Sequence, residues 1–465
     1  MEKDNSFRDS VATISSEGKR KWIYPKKPHG FFHNRRVLVS IVLLTLLFSG
    51  PFMKWNGHPF LLFNVIERKF ILFGVPFWPQ DFFLFVLAML TFFVFIILFT
   101  SIFGRVWCGW ACPQTIFMEM VFRKVEYFIE GDANQQRLLD RAPWNAEKVR
   151  KKFSKHGIFF ILSFLIANTL LAYLIGIDRL RLLVVDGPFA HAGSFSSLVV
   201  FTGVFYGVYA RFREQACLVV CPYGRLQGVL LDRNSVVIAY DYKRGETRGK
   251  FHREAPRTEG DCIDCHQCVE VCPTGIDIRN GTQLECVNCT ACIDACDRVM
   301  DKVGFSKGLI RYASEENIAT KNPFRFTTRI ISYSVLLGLL LTTLVAFLAM
   351  RSDLEVTLLR VPGQMYQQVD SLHVSNLYNI QVANKTFRDM PVRLDFAENS
   401  VKGEIRFVGN NLEKVHKDSL AEAVLFIVLP SGQLSGLKTP ITLSVISEGR
   451  EVGRVRTNFM GPSVH

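Results

Sequence analysis

The sequence predicts a multi-domain membrane protein, in which an α-helical transmembrane bundle of five spans carries a cysteine-rich domain and a C-terminal all-β domain. Three observations predict this architecture: five long apolar runs, a doubled cysteine motif between the fourth and fifth runs, and a change to short apolar runs after Ser352. The 465 residues are 49% hydrophobic and include 40 Phe, which is more than one large soluble domain would carry.

The apolar runs place the spans at about residues 37–53, 82–103, 157–177, 196–212 and 330–350. Between the first two, we expect an outer loop with a short re-entrant or interfacial segment at 60–74. An amphipathic stretch at 115–129 and a basic segment ending at Lys155 precede the third span.

Charge sets the expected orientation. Residues 1–36 and 104–156 hold nineteen Lys and Arg, whereas the opposite loops, 54–81 and 178–195, hold five. Because cytoplasmic loops carry the excess of Lys and Arg, we expect a cytoplasmic N-terminus in a bacterial inner membrane, with the C-terminal domain periplasmic. The positive charge is assigned to contact between the basic segments beside the spans and the surface of the bilayer, so no nucleic-acid partner is expected.

The predicted domains are a basic cytoplasmic arm (1–36), a four-span region (37–215), a cysteine-rich cytoplasmic domain (216–328), the fifth span (329–351) and the periplasmic β domain (352–465).

The doubled motif reads Cys-x-x-Cys-x-x-Cys-x-x-x-Cys twice, which is the run found in bacterial two-cluster ferredoxins. In such runs the fourth Cys ligates the other cluster. We therefore predict a dicluster ferredoxin-like domain with two 4Fe–4S clusters. The predicted ligands are Cys262, Cys265, Cys268 and Cys296 for the first cluster, and Cys286, Cys289, Cys292 and Cys272 for the second.

Zinc and a disulfide framework are the alternatives for these eight cysteines. Zinc sites usually pair their ligands across a longer gap, so the spacing favours iron–sulfur. Asp297 stands where a proline often follows the fourth Cys, which removes no ligand.

Four more cysteines lie at the predicted cytoplasmic ends of spans two and four, as two copies of Cys-x-x-x-Cys-Pro. On a helix this spacing would place both thiols of a pair on one face, with Pro113 and Pro222 breaking the helix just after. Soft sulfur ligands select Cu(I), so the hypothesis is a transient copper site with a catalytic role. Met118 and Met120 are nearby candidates for assistance, and Arg105, Arg211 and Arg213 are candidates for lowering the thiol pKa values. The proposed copper ligands are Cys108, Cys112, Cys217 and Cys221.

Other interpretations of these four cysteines are buried packing residues, a redox thiol pair, or a third iron–sulfur cluster.

Residues 352–465 contain seven short strand-like runs spaced by about ten residues and no Cys, which indicates an immunoglobulin-like β-sandwich without a disulfide. The Asn384-Lys385-Thr386 sequon carries little weight.

The motifs resemble those of the FixG/CcoG/RdxA type of cytochrome c oxidase accessory protein. The matching segments are KWIYPKK, WCGWACPQT, ACLVVCPYGR, YDYKRGETRGK, the ferredoxin run and NLYNIQVANKT, so the resemblance covers nearly the whole chain. It implies a role in maturing a cbb-type haem–copper oxidase, by reduction of Cu(II) to Cu(I).

We therefore expect an oxidoreductase, a cupric reductase, whose partners are an external electron donor and oxidase assembly factors or a copper chaperone. The alternatives are an electron-transfer conduit between a cytoplasmic or quinol donor and a periplasmic redox partner, and an assembly scaffold with redox-sensing clusters. The sequence has no GxGxxG nucleotide fingerprint, so the electron donor is expected to be external.

Overall fold

The computed structural model describes residues 12–14, 17, 19–65, 69–78, 81–251, 258–321, 325–363, 365–398, 400–409 and 412–462. They form two compact units. The first comprises residues 1–53 and 87–342, and the second comprises residues 54–86 and 343–465. All twelve cysteines are described and lie in the first unit.

Five helices in the described part of the chain are long and apolar enough to cross a membrane, as the sequence predicted. The second has the predicted bounds, whereas the third begins eleven residues earlier, inside the basic segment, where the Asn145 side chain accepts a hydrogen bond from the Lys148 backbone N–H and caps the helix. The candidate spans are Phe31–Phe52, Phe82–Phe103, Ala146–Ile175, Ala192–Phe212 and Thr328–Ala349.

Shorter helices of the first unit join these spans to the cysteine-rich domain. The predicted amphipathic stretch is helical and contains a π-helical segment at Phe117–Phe122. Buried ion pairs fix it to the third and fourth spans: Glu126 lies 2.8 Å from Arg213, and Glu130 lies 2.9 Å from Lys155. The other short helices are Val106–Trp110, Pro113–Ile116, Arg123–Ile129, Ala133–Arg141, Ile177–Asp186 and Pro222–Leu230.

The described part of the N-terminal arm packs on the cysteine-rich domain. The Lys26 backbone N–H donates to the Glu270 carbonyl at 2.8 Å. The Asp294 carboxylate accepts from the backbone N–H groups of Phe32 and His33 at the start of the first span. These hydrogen bonds satisfy backbone N–H groups of the arm and attach the arm to the ferredoxin-like domain.

The cysteine-rich domain is built on one antiparallel strand pair, Val237–Tyr240 with Ile310–Ala313, and on the helices Gln267–Glu270 and Ala291–Val303. Its core contains most of the cysteine thiols together with Ile238, Met300 and Leu309, each about 1% exposed. The thiols are therefore surrounded by apolar side chains.

In the second unit, the described residues of 60–74 form antiparallel β-strands within the segment that the sequence predicted to be re-entrant or interfacial. Leu61–Asn64 pairs antiparallel with Lys69–Leu72, which pairs with Val75–Phe77. Leu62 and Asn64 are buried while Phe63 is exposed, which is the two-residue period of a half-buried strand.

The all-β domain has two antiparallel sheets that enclose one core. The first sheet has the order Glu404–Val408, Ser419–Pro430, His373–Asn384, Leu354–Arg360, with Gln367–Gln368 at one end of the third strand, and the second has the order Arg393–Phe396, Lys438–Ser447, Arg450–Met460. The buried Tyr378 hydroxyl donates to the Asn458 carbonyl at 3.0 Å and ties the sheets together. Each of the seven predicted strands is present.

Asn384 and Asp81 fix the remaining loops of the second unit. Asn384 is fully buried and donates through Nδ2 to the carbonyls of Arg388, Val415 and His416, so its sequon is inaccessible to glycosylation. Asp81 accepts from Lys385 and, at 2.8 Å, from Arg351.

Candidate redox sites

The two cysteine runs fold into the same unusual loop. The residue before and the residue after each second Cys have positive φ angles: Asp264 (53°) and His266 (54°) in the first run, Asn288 (53°) and Thr290 (67°) in the second. Non-glycine residues seldom adopt this conformation, and turns that contain left-handed residues can direct successive backbone N–H groups toward a common point. The repeat of four such residues indicates a loop shaped around an anionic, thiolate-ligated group.

Each run contributes to two small, partly open cavities. One is lined by Cys262, Cys265, Cys268 and Cys296, the four residues that the sequence assigned to the first cluster. The other is lined by Cys272, Cys286, Cys289 and Cys292, assigned to the second, with Cys268 at the boundary. The first cavity has three cysteines of the first run and one of the second, and the second cavity has three cysteines of the second run together with Cys272 and Cys268 of the first. The residues present therefore fit two 4Fe–4S clusters.

Burial keeps the thiols of Cys268, Cys286 and Cys292 protonated when they are unliganded. Burial raises the pKa of Cys268 and of Cys286, each to about 12. It also raises the pKa of Cys292 well above its usual value. Buried thiols surrounded by apolar groups become thiolates when a metal replaces the proton, so cluster binding releases protons here.

Asp297 takes a structural role in place of the expected proline. Its carboxylate accepts a hydrogen bond from the Gly308 backbone N–H at 2.8 Å. The aspartate therefore fixes the loop that follows helix Ala291–Val303.

The membrane cysteines of a pair do not share a helix face, so that expectation is wrong. Helix Val106–Trp110 ends before Cys112, which is extended (φ −63°, ψ 124°) and precedes a new helix beginning at Pro113. Cys221 has the same place before Pro222 (φ −70°, ψ 111°). The physical reason is that the residue before proline avoids helical dihedral angles.

The two copies nevertheless have the same local structure. The Cys112 backbone N–H donates to the Trp107 carbonyl, and the Cys221 N–H donates to the Ala216 carbonyl, each 2.9 Å away and five residues back. Each proline takes the first position of its helix. This agreement strengthens the internal repeat that the motif suggested.

The four membrane thiols lie close enough together to influence one another's ionisation. Burial, together with the neighbouring thiols of Cys112, Cys108 and Cys221, raises the pKa of Cys217 to about 12. Burial raises the pKa of Cys108 to about 11 against the opposing charge of Arg105. The Cys108 thiol donates to the Gln227 Oε1 atom at 2.8 Å.

The basic neighbours were expected to lower the pKa values of the membrane thiols, and one of them, Arg105, acts in this way on Cys108. Arg105 faces Cys108, but Arg213 pairs with Glu126 and stacks on Trp22. Met118 packs in an apolar cluster with Phe122 and Tyr209. Among the described residues, no three Cys, His, Asp or Glu side chains are arranged to hold a single metal ion.

The membrane thiols abut the second cluster site through Gly109. A Cβ atom on Gly109 would lie 2.3 Å from the Val287 carbonyl oxygen and 2.8 Å from that of Asn288. These two residues separate Cys286 from Cys289, and Cys108 belongs to the same core as the cluster cysteines. Only glycine permits this backbone contact.

Arg105 lies near both the membrane cysteines and the cysteines of the second cluster site. It is 3% exposed, donates to the Leu284 carbonyl, and its charge opposes the rise in pKa of both Cys108 and Cys286. Sequence reasoning named Arg105 for its closeness to Cys108 but missed its link to Cys286, along with Gly109 and Gln227. The glycine between the cysteines of WCGWACP was the available signal for a close backbone approach.

Three family models match the chain. A 4Fe–4S dicluster domain covers residues 212–315, a 4Fe–4S binding domain covers residues 85–130, and the immunoglobulin-like fold at the C-terminus of FixG covers residues 344–462. The second of these contains Cys108 and Cys112. The matches support iron–sulfur binding, membrane association and an immunoglobulin-like C-terminal domain.

Curated relatives agree with these matches. Protein RdxB of Cereibacter sphaeroides is 33% identical over 80% of this chain and 81% of its own, and protein RdxA of the same organism is 35% identical over the same shares. Nitrogen fixation protein FixG of Rhizobium meliloti is 38% identical over 65% of this chain, and the match spans 59% of the FixG chain. A crystal structure of a FixG-related protein from Vibrio parahaemolyticus aligns with 24% of this chain and 97% of its own, at 18% identity and a TM-score of 0.21. On the identity and coverage of RdxA and RdxB, the chain belongs to the FixG/RdxA family of membrane iron–sulfur proteins.

Proposed function

We propose that this protein is a membrane cupric reductase that converts Cu(II) to Cu(I) at the four membrane cysteines, for assembly of a cbb-type cytochrome c oxidase. The single observation that carries the proposal is the backbone contact of Gly109 with Val287 and Asn288, which brings Cys108 next to the second cluster site. When bound, the two 4Fe–4S clusters supply one-electron transfer.

The residues have distinct roles in this proposal. The eight cysteines of the double run hold the clusters in the crossed arrangement stated above. Cys108, Cys112, Cys217 and Cys221 bind the copper substrate, and sulfur donors favour its reduced form. Gln227 orients the Cys108 thiol through their hydrogen bond.

The proposed orientation follows the charge asymmetry of the loops. The N-terminus and the cluster domain lie in the cytoplasm, and the β domain lies in the periplasm. The electron donor is external, and the β domain contacts assembly factors or a copper chaperone. A cytoplasmic cluster domain agrees with the cysteine distribution, since the described part of the periplasmic unit has no Cys.

The test is Cu(II) reduction by purified protein in detergent, whose clusters have been reduced with dithionite and freed of excess reductant, followed with a Cu(I)-specific chelator. Replacing all four membrane cysteines with Ser should lower the rate at least tenfold, since each removed thiolate lowers Cu(I) affinity. The iron content should stay at about eight per chain, because the ferredoxin cysteines remain. Equal rates in both proteins would contradict the proposal.

A third iron–sulfur cluster is a second candidate for the membrane cysteines. The match of a 4Fe–4S binding domain to residues 85–130 favours it, because that range contains one of the two pairs. This reading predicts about twelve irons per chain and the loss of about four in the four-Ser variant. The iron count therefore separates the two candidates independently of copper.

A further inference from the structure

A cleft in the first unit reaches the cluster ligands from the protein surface. Cys272 and the exposed His266 lie in its wall, and the arm residues Trp22 and Tyr24 lie opposite, beside helix Ala133–Arg141. The cleft is open to solvent and has a volume of about 440 Å³, which lies within the range for small-molecule sites. It is concave and leads to a redox centre.

The cleft is positively charged. Lys21, Arg137 and Arg141 line it and are exposed, and none of them has a carboxylate partner among the residues that the structure describes. The two acidic residues of its lining are already paired: Asp140 lies 2.6 Å from Lys152, and Glu270 lies 3.8 Å from Lys26. Three free cations around one concave site fit a phosphate group.

The chemistry of the neighbouring clusters narrows the ligand class. A 4Fe–4S cluster accepts one electron at a time, whereas a reduced nicotinamide gives up a hydride. A reduced flavin nucleotide carries a phosphate and releases its two electrons singly. It therefore satisfies both the charge of the cleft and the electron count.

We propose that this cleft binds a reduced flavin nucleotide, which is the electron donor that the proposed function requires. Lys21, Arg137 and Arg141 bind the phosphate, and the flavin ring lies along Ile23 and Val269, beside Cys272. The reduced flavin loses two electrons and two protons and becomes oxidised flavin; each of the two clusters gains one electron, and the protons pass to solvent at the open side of the cleft.

Binding tests the site without copper. Equilibrium dialysis of FMN against the anaerobic, cluster-loaded protein should give saturable binding of one FMN per chain, about tenfold tighter than riboflavin, which lacks the phosphate. The R137E/R141E variant should weaken FMN binding about tenfold or more. The matched variant R150E/K302E changes the net charge equally at exposed residues outside the cleft and should bind FMN as the native protein does. Equal FMN affinity in all three proteins would overturn the proposal.

Rapid mixing tests the electron transfer. Reduced FMN should bleach the cluster absorbance of the native protein and of R150E/K302E, and should act about tenfold more slowly on R137E/R141E. Bleaching by a reduced flavodoxin but not by reduced FMN would overturn the nucleotide site in favour of a protein donor. Bleaching by a quinol but not by reduced FMN would overturn the nucleotide site in favour of a membrane-borne electron carrier. A protein that binds FMN but does not reduce Cu(II) would refute the copper proposal and leave the cleft standing, whereas copper reduction by the dithionite-reduced protein without FMN binding would do the reverse.

Discussion

At the scale of single residues, charge and shape near the thiols decide what the site does. Arg105 is a buried cation near Cys108 and Cys286, which belong to different motifs. A fixed positive charge beside a cluster stabilises the form that has gained an electron. Arg105 is therefore a positioning residue that favours the reduced state of the second cluster.

Replacing Arg105 with Gln should lower the midpoint potential of the second cluster by about 60 mV, which is about 1.4 kcal/mol for one electron. Arg105→Lys keeps the charge and should restore most of that loss. An anaerobic redox titration followed by electron paramagnetic resonance measures both. A potential that is unchanged in Arg105→Gln would show that the arginine acts through packing alone.

Gly109 makes a second residue-scale prediction. Gly109→Ala places a methyl group against the backbone of Val287 and Asn288, so the membrane motif and the cluster loop must separate. We expect a loss of roughly 1–3 kcal/mol in stability, as for other overpacked sites, together with slower copper reduction. Gly157→Ala is the control, because no atom lies within 4 Å of its added Cβ, and it should melt at or above the native temperature.

At the scale of elements, the periodicity of apolar residues explains which helices and strands were predicted correctly, and the residues before proline explain where a helix boundary was not. The spans and the seven strands of the β-sandwich follow from long apolar runs and from two-residue alternation, which are local signals. The sequence was expected to keep Cys112 on a helix that breaks at Pro113, but the helix ends at Trp110, because Pro113 restricts the residue before it. The antiparallel strands Leu61–Asn64 and Lys69–Leu72 were missed, since their apolar content resembled an interfacial segment.

The contacts between distant elements were beyond sequence reasoning. The crossed cysteine sets were predictable from spacing, whereas the approach of Gly109 to Asn288 joins residues far apart in the chain and depends on tertiary packing. Ion pairs such as Asp81 with Lys385 have no periodic signal for the same reason.

Asp81 connects the helix Phe82–Phe103 to the strands of the second unit, and its loss should destabilise that unit. Asp81→Asn removes the carboxylate that pairs with Arg351 and leaves Lys385, which is 4% exposed in its side chain, with Glu355 as its remaining partner at 2.6 Å. Removing one partner of a buried ion pair costs roughly 3–5 kcal/mol. Thermal unfolding of the full chain in detergent, with limited proteolysis of the β domain, measures this. Glu404→Gln, at an exposed pair with Arg406, is the control and should melt as the native protein does; an equal midpoint for Asp81→Asn would refute the role assigned to the pair.

At the scale of the whole molecule, five spans place the two ends of the chain on opposite sides of a membrane. The excess of Lys and Arg in 1–36 and 104–156 predicts which side is the cytoplasm. A reporter that is active only outside the cytoplasm should be active when fused after His465 and silent when inserted near Arg248. The opposite pattern would place the cluster domain on the oxidising side and refute the orientation.

The central claim is that electrons from the ferredoxin-like domain reach copper at the membrane cysteines. A single-turnover measurement tests it most directly: the clusters are reduced, excess reductant is removed, Cu(II) is added, and cluster reoxidation and Cu(I) are followed together. In the native protein, one Cu(I) should appear for each cluster electron lost. In the Cys112→Ser/Cys221→Ser variant, the clusters should be intact but should stay reduced, whereas Cys265→Ser should bind Cu(I) and yield fewer electrons. Reoxidation of the Cys112→Ser/Cys221→Ser variant at the native rate would contradict the account, since copper would then be reduced without the membrane thiols.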